Sequence, residues 1–341
     1  MNQFNTTPYK KEKYLFIYCL IALTLSTVIL MPLFPKFFRP TPENLHISFL
    51  VLGWLSTAHV ATTGFFYIDS NFSSHIKARP NRYVVAPILS IITCILLWGT
   101  IAEENHAYLW MIFISWLLWH YQKQNYGLAA LVSNITNGDR LTILERKSIM
   151  LISVGSIIAV LRFKANELNL PFLTKDSLYM LGLCIYLGAA LSCFYAIYLR
   201  LKRDNKRNLF SSMFIILSVI FFAPTFLSNG FFPAVTSYAI AHALQYWLMM
   251  STLVITSRAQ NGNIRSIGGF FVVVMMIYGA IWFTRNPNIP EDIINYMIGL
   301  QFGITVAHFI IDADAWKLSE KSQRNYIQER YDFLFSNKLE R

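Results

Sequence analysis

Hydrophobic positions in this chain form long unbroken runs, and the charged residues gather in the short stretches between them. A run of about 18–25 apolar residues, wound as helix, reaches across roughly 30 Å of hydrocarbon. In lipid every backbone N–H and C=O needs a partner from the chain itself, so such runs are helical. The short alternating segments of a β-barrel do not occur. The pattern predicts spans over 14–34, 46–68, 84–102, 107–133, 148–163, 178–200, 209–228, 231–256, 267–285 and 293–316, ten in all. The expected fold is all-α, a polytopic transmembrane helical bundle forming a single transmembrane domain over 1–341. The run beginning at Tyr14 is too long for the apolar part of a cleavable signal and lacks a small-residue cleavage site, so it reads as the first span. Polar sequence is confined to a short N-terminus, 1–13, the loops, and a tail, 317–341. Tyr326, Tyr331, Phe333 and Leu334 stand among charges in that tail, which is expected to form an amphipathic helix on the membrane surface.

Composition agrees. Of the 341 residues 55% are hydrophobic and only 14% charged, where a soluble chain carries about a quarter. Charge then orients the spans. With the N-terminus inside, 22 of the 29 lysines and arginines fall on the inner side and 6 on the outer, with Lys123 inside a span. Cytoplasmic loops carry this excess, so both termini are expected in the cytoplasm of a multi-pass protein of the cell's inner or plasma membrane. The formal net charge of +11 follows from that loop bias and needs no nucleic-acid partner. The four cysteines, Cys19, Cys94, Cys184 and Cys193, all lie in apolar runs and suggest packing residues rather than a disulfide framework.

The candidate chemistry lies in the histidines. His46, His75 and His106 fall at span ends or in a loop. His59, His120, His242 and His308 fall within the second, fourth, eighth and tenth spans, which all run from outside to inside. They sit 13, 13, 11 and 15 residues below the outer boundaries, so they share one layer to within about a helical turn. Ionisable groups at that depth are costly unless paired or bound, and neutral imidazole is a good ligand for iron, zinc, copper and nickel. The layer is therefore expected to hold a shared metal or cofactor. Each histidine has polar company one turn on, the spacing that puts two side chains on one helix face: Thr62 and Thr63 after His59, Gln124 after His120, Gln245 and Tyr246 after His242, Asp312 after His308. Gln124, Gln245 and Tyr246 are expected to touch the bound group, and Asp312 is the best carboxylate for it. Asp69 and Asp314 read as interfacial charges. Trp116, Trp119 and Tyr246 lie deep enough either to pack between helices or to line a substrate pocket.

Single histidines on separate spans, each followed by a polar residue a turn later, resemble the Brp/Blh-type carotene-cleaving dioxygenases. They resemble more loosely other histidine-rich integral membrane iron oxygenases. His308 with Asp312 matches the His-x-x-x-Asp form found in the carotene enzymes. The HxxxH and HxxHH boxes of desaturases are absent. The resemblance implies iron held by His59, His120, His242 and His308, acting on a lipophilic substrate delivered from the bilayer, with an electron-donor protein as partner. Two other readings stay open. One is a haem b electron carrier with paired axial histidines. The other is a transporter with a polar intramembrane path, against which the lack of an internal repeat counts.

Overall fold

Every regular element among the described residues is a helix. The computed structural model describes residues 7–37, 58–137, 140–168, 174–203, 209–261, 265–284 and 290–335. The helices are α1 (Thr7–Phe37), α2 (Ala58–Thr62), α3 (Phe65–Ile68), α4 (Ser73–Ala78), α5 (Ala86–Thr100), α6 (His106–Asn137), α7 (Ile143–Leu161) and α8 (Lys175–Arg203). They continue with α9 (Leu209–Ile220), α10 (Pro224–Leu227), α11 (Phe231–Asn261), α12 (Arg265–Phe283), α13 (Glu291–Ala315), α14 (Lys321–Arg330) and α15 (Asp332–Phe335).

Seven of the described helical segments are long and apolar enough to cross a membrane: 11–29, 81–100, 143–167, 175–203, 209–227, 233–256 and 293–315. They make the chain a polytopic α-helical membrane protein. The apolar stretch of α12 is shorter, Ile267–Phe283. Helix α6 is 32 residues long, but its polar run from His120 to Asn125 lowers its apolar character. Residues 46–57 of the second expected span lie outside the described residues. The fifth expected span, read over 148–163, starts earlier. Thr142 and Glu145 form a reciprocal capping box at the start of α7, which ties off two backbone donors and sets its first turn.

The residues sort into two compact units, one drawn from 1–13, 49–106 and 243–341, the other from 14–48 and 107–242. In the first, α5 lies along α13 at the Gly299 and Gly303 positions. A Cβ on Gly299 would stand 2.5 Å from the Cys94 carbonyl oxygen, and one on Gly303 would stand 2.6 Å from the Ile91 Cα. Glycines four residues apart let two backbones approach where lipid gives no hydrophobic drive to association. Trp98 closes the same seam against Phe302, their centroids 4.8 Å apart.

In the second unit α7 and α8 cross at Gly155 and Gly182. Each glycine's absent Cβ would fall 2.7 Å or less from backbone of the facing helix. Nearby, Arg200 and Glu145 form a two-armed ion pair, Nε to Oε1 at 2.6 Å and the second arm at 2.7 Å. Both side chains are fully buried.

The tail, expected to form an amphipathic helix, packs one face onto the protein. Helix α14 forms, but Gln323, Tyr326, Ile327 and Arg330 are buried against the first unit. Asp69 and Asp314, expected at the interface, are its anchors. Tyr326 donates to Asp69 at 2.7 Å, and Arg330 pairs with Asp69 at 3.3 Å. Asp314 receives Arg79 at 2.9 Å, Tyr83 at 2.9 Å and Gln323 at 3.3 Å.

Candidate functional site

The first unit brings His59 of α2 against His308 of α13. Their ring centroids are 5.1 Å apart and meet edge to face, and both side chains are buried. The local backbone explains His59's setting. Between Val60 and Tyr67 the chain tightens into i to i+3 bonds, with Thr63 N donating to Val60 O and Phe66 N to Thr63 O. That tightening separates α2 from α3. It leaves Gly64 pressed so close to Val273 that a Cβ would collide. Such tightened stretches often mark functional positions in helices.

A hydrogen-bonded chain runs from His308. Its Nδ1 is 2.5 Å from the Thr63 hydroxyl. That hydroxyl is 3.0 Å from the Tyr246 hydroxyl, which donates to Asp312 Oδ1 at 2.7 Å. With Asp312 ionised, the polarity of the chain follows from that end. A carboxylate only accepts, so Tyr246 donates to it and its oxygen accepts from Thr63. Thr63 then accepts from an Nδ1–H of His308. The imidazole is held in the tautomer that keeps Nε2 as its lone-pair atom. A hydrogen bond of this kind on one ring nitrogen is the usual way a protein orients a ligating histidine.

The second unit pairs His120 of α6 with His242 of α11, again at 5.1 Å between centroids and edge to face. Tyr121 lies over His242 at 4.2 Å and is itself 6.1 Å from Tyr238. Phe221 and Phe222 close around Tyr238 at 6.2 and 5.6 Å. The pair sits in an aromatic box, and His242 is fully buried. Gln124 donates to the His242 carbonyl at 3.2 Å. It therefore ties α6 to α11 through the backbone.

Each unit brings a set of the expected residues together. His59, His308, Tyr246 and Asp312 come together in one unit, and His120, His242 and Gln124 in the other. Gln245 is buried. Trp116 and Trp119, expected to pack or to line a pocket, are exposed instead at 43% and 36%, and the Lys123 ammonium lies 5.4 Å over the Trp119 ring. Thr63 was visible only as a neighbour of His59. Its i+4 spacing from that histidine was the available signal, but its link to His308 comes from a distant part of the chain.

A buried histidine pair in each unit, one of them wired to a carboxylate, marks a class: helical membrane proteins that keep imidazoles in a dry interior. No family profile, curated protein or solved structure matches the chain.

Proposed function

We propose that the chain is an intramembrane metal-dependent oxidoreductase, an oxygenase acting on a lipophilic substrate with iron as its metal. His59, His308, His120 and His242 are its ligands. The observation that carries the reading is the pairing of histidines remote in sequence, ring against ring at 5.1 Å in each unit. Buried imidazoles are expensive in hydrocarbon without such a role. The donor set fits: neutral nitrogen ligands suit iron, and iron with open positions supplies oxygen activation when bound.

The chain's own residues do the rest. Thr63, Tyr246 and Asp312 fix the His308 tautomer and direct its Nε2. The Tyr121, Tyr238 and Phe221 box excludes water from His120 and His242. The lipophilic substrate enters from the bilayer, and an external donor protein supplies electrons. The topology belongs to the same proposal: ten spans, both termini cytoplasmic, in the cell's inner or plasma membrane. Haem is the weaker reading, because rings 5.1 Å apart and edge to face leave no slot for a porphyrin between the partners of a pair.

Elemental analysis of the purified protein tests this directly. Iron is expected in the wild type and is expected to fall in His59→Ala, His120→Ala, His242→Ala and His308→Ala. The ratio of iron to protein tells whether the two pairs serve one ion or two. Wild-type protein free of metal, or unchanged metal in all four variants, rejects the proposal.

A further inference from the structure

A cavity of about 660 Å³ opens in the first unit where the 81–100 span begins, lined by Arg79, Pro80, Asn81, Arg82, Asp314 and Lys317 among others. It holds none of the four histidines. Three of those side chains are cationic and one is anionic. The anionic one is already satisfied, since Asp314 receives Arg79, Tyr83 and Gln323. Glu320, just outside, is bridged by Arg79 and Lys317, each at 3.0 Å. Arg82 remains as an exposed cation with no ion pair among the described residues. The span also starts here behind Pro80, so the positive end of its helix dipole faces the same notch.

A second, separate observation says what kind of anion fits. From the notch, one face of the span is bare and apolar. Val85, Ile88, Leu89, Ile92 and Leu96 are 44–56% exposed, at the three- and four-residue spacing of one helix stripe. A cationic cup at the foot of an apolar stripe matches an amphiphile with an anionic head and hydrocarbon tails. A free anion would use only the cup. The flanking loop carries Lys77, Arg79 and Arg82, the excess that marks the cytoplasmic side, and anionic lipids concentrate in that leaflet.

We infer that this notch binds the headgroup of an anionic phospholipid, whose acyl chains lie along the outer face of the 81–100 span. Arg82 and Lys317 reach the phosphate from the two sides of the cup, and Arg79 holds the floor in shape through Asp314 and Glu320. The inference depends on the membrane fold alone and not on the metal.

The test uses the full chain in a non-ionic detergent, with its melting temperature followed while lipid is titrated. Phosphatidylglycerol is expected to raise the melting temperature saturably. Phosphatidylcholine and inorganic phosphate are expected to leave it unchanged. Each cation removed weakens the apparent affinity about fivefold, so Arg82→Gln shifts the titration midpoint and the double variant with Lys317→Gln shifts it further. Lys123→Gln, an exposed cation outside the notch, leaves it in place. Without lipid, Arg82→Gln is expected to melt like the wild type, since that side chain holds no ion pair. Equal affinity in the double variant and the wild type would overturn the assignment. So would an equal response to phosphatidylcholine, a shift produced by inorganic phosphate alone, or a loss of affinity in Lys123→Gln as large as in Arg82→Gln.

Discussion

At the scale of single residues, the polar interior is organised by groups that can only accept or only donate. Asp312 fixes the direction of a chain through Tyr246 and Thr63 that ends on His308 Nδ1. Removing a middle link should leave the imidazole present but unoriented. Thr63→Val and Tyr246→Phe are each expected to lower iron affinity by about 10–100-fold, the usual effect of losing a partner that orients a ligand. Thr63→Ser, which keeps the hydroxyl, should retain it. Competition against a chelator reads the difference, and equal affinity in all three variants would show the chain to be idle.

The Glu145–Arg200 pair obeys the same logic. Both groups are sealed from solvent, so Arg200→Met strands a carboxylate. That is expected to cost about 3–5 kcal/mol in an unfolding titration, partly recovered when Glu145 is replaced by Met as well, since that second change also removes the capping box of α7.

At the scale of elements, close helix approach is set by glycine and by the tail. On α8, Gly182 meets the backbone of α7, whereas Gly188 faces open space. Gly182→Leu is expected to cost at least about 1–3 kcal/mol, because backbone cannot move aside as a side chain can. Gly188→Ala on the same helix should be neutral in the same melting experiment.

The tail segment carries a pH signature. His75, packed beside Phe72 and edge-on to Tyr326, has its pKa lowered by burial first and by the Arg79 charge next, against the pull of Asp314 and Glu329. The folded state therefore prefers the neutral ring. Its contribution to stability is present above the ordinary histidine value of about 6.5 and is lost as pH falls through the lowered value. Protection of the α14 amides, their exchange normalised to the intrinsic rate at each pH, is expected to fall between pH 7 and pH 5, and His75→Gln should flatten that fall. A pH-independent protection factor in the wild type would contradict it.

At the scale of the whole molecule, much was legible from hydrophobic run length and charge placement alone. Each expected span with described residues contains helix, because run length and backbone satisfaction in lipid leave no other solution. The four histidines within apolar runs were equally plain, since an ionisable group in such a run is conspicuous whatever surrounds it. The boundaries were less so. The start of α7 depended on a capping box, and the break after His59 depended on a local tightening of the helix around Thr63 and Gly64. Those features turn on single hydrogen bonds that periodicity does not register.

The amino-acid sequence by itself determined an all-helical membrane chain and the residues able to do chemistry in it, because both follow from local transfer free energies. Tertiary structure alone decided that His59 pairs with His308 and His120 with His242. It also decided that Asp312 acts on His308 through Tyr246 and Thr63, and that the tail folds back onto Asp69 and Asp314. Each of these joins residues from distant helices whose relative rotation is set by packing, and no pattern along one helix encodes which face its neighbour will present.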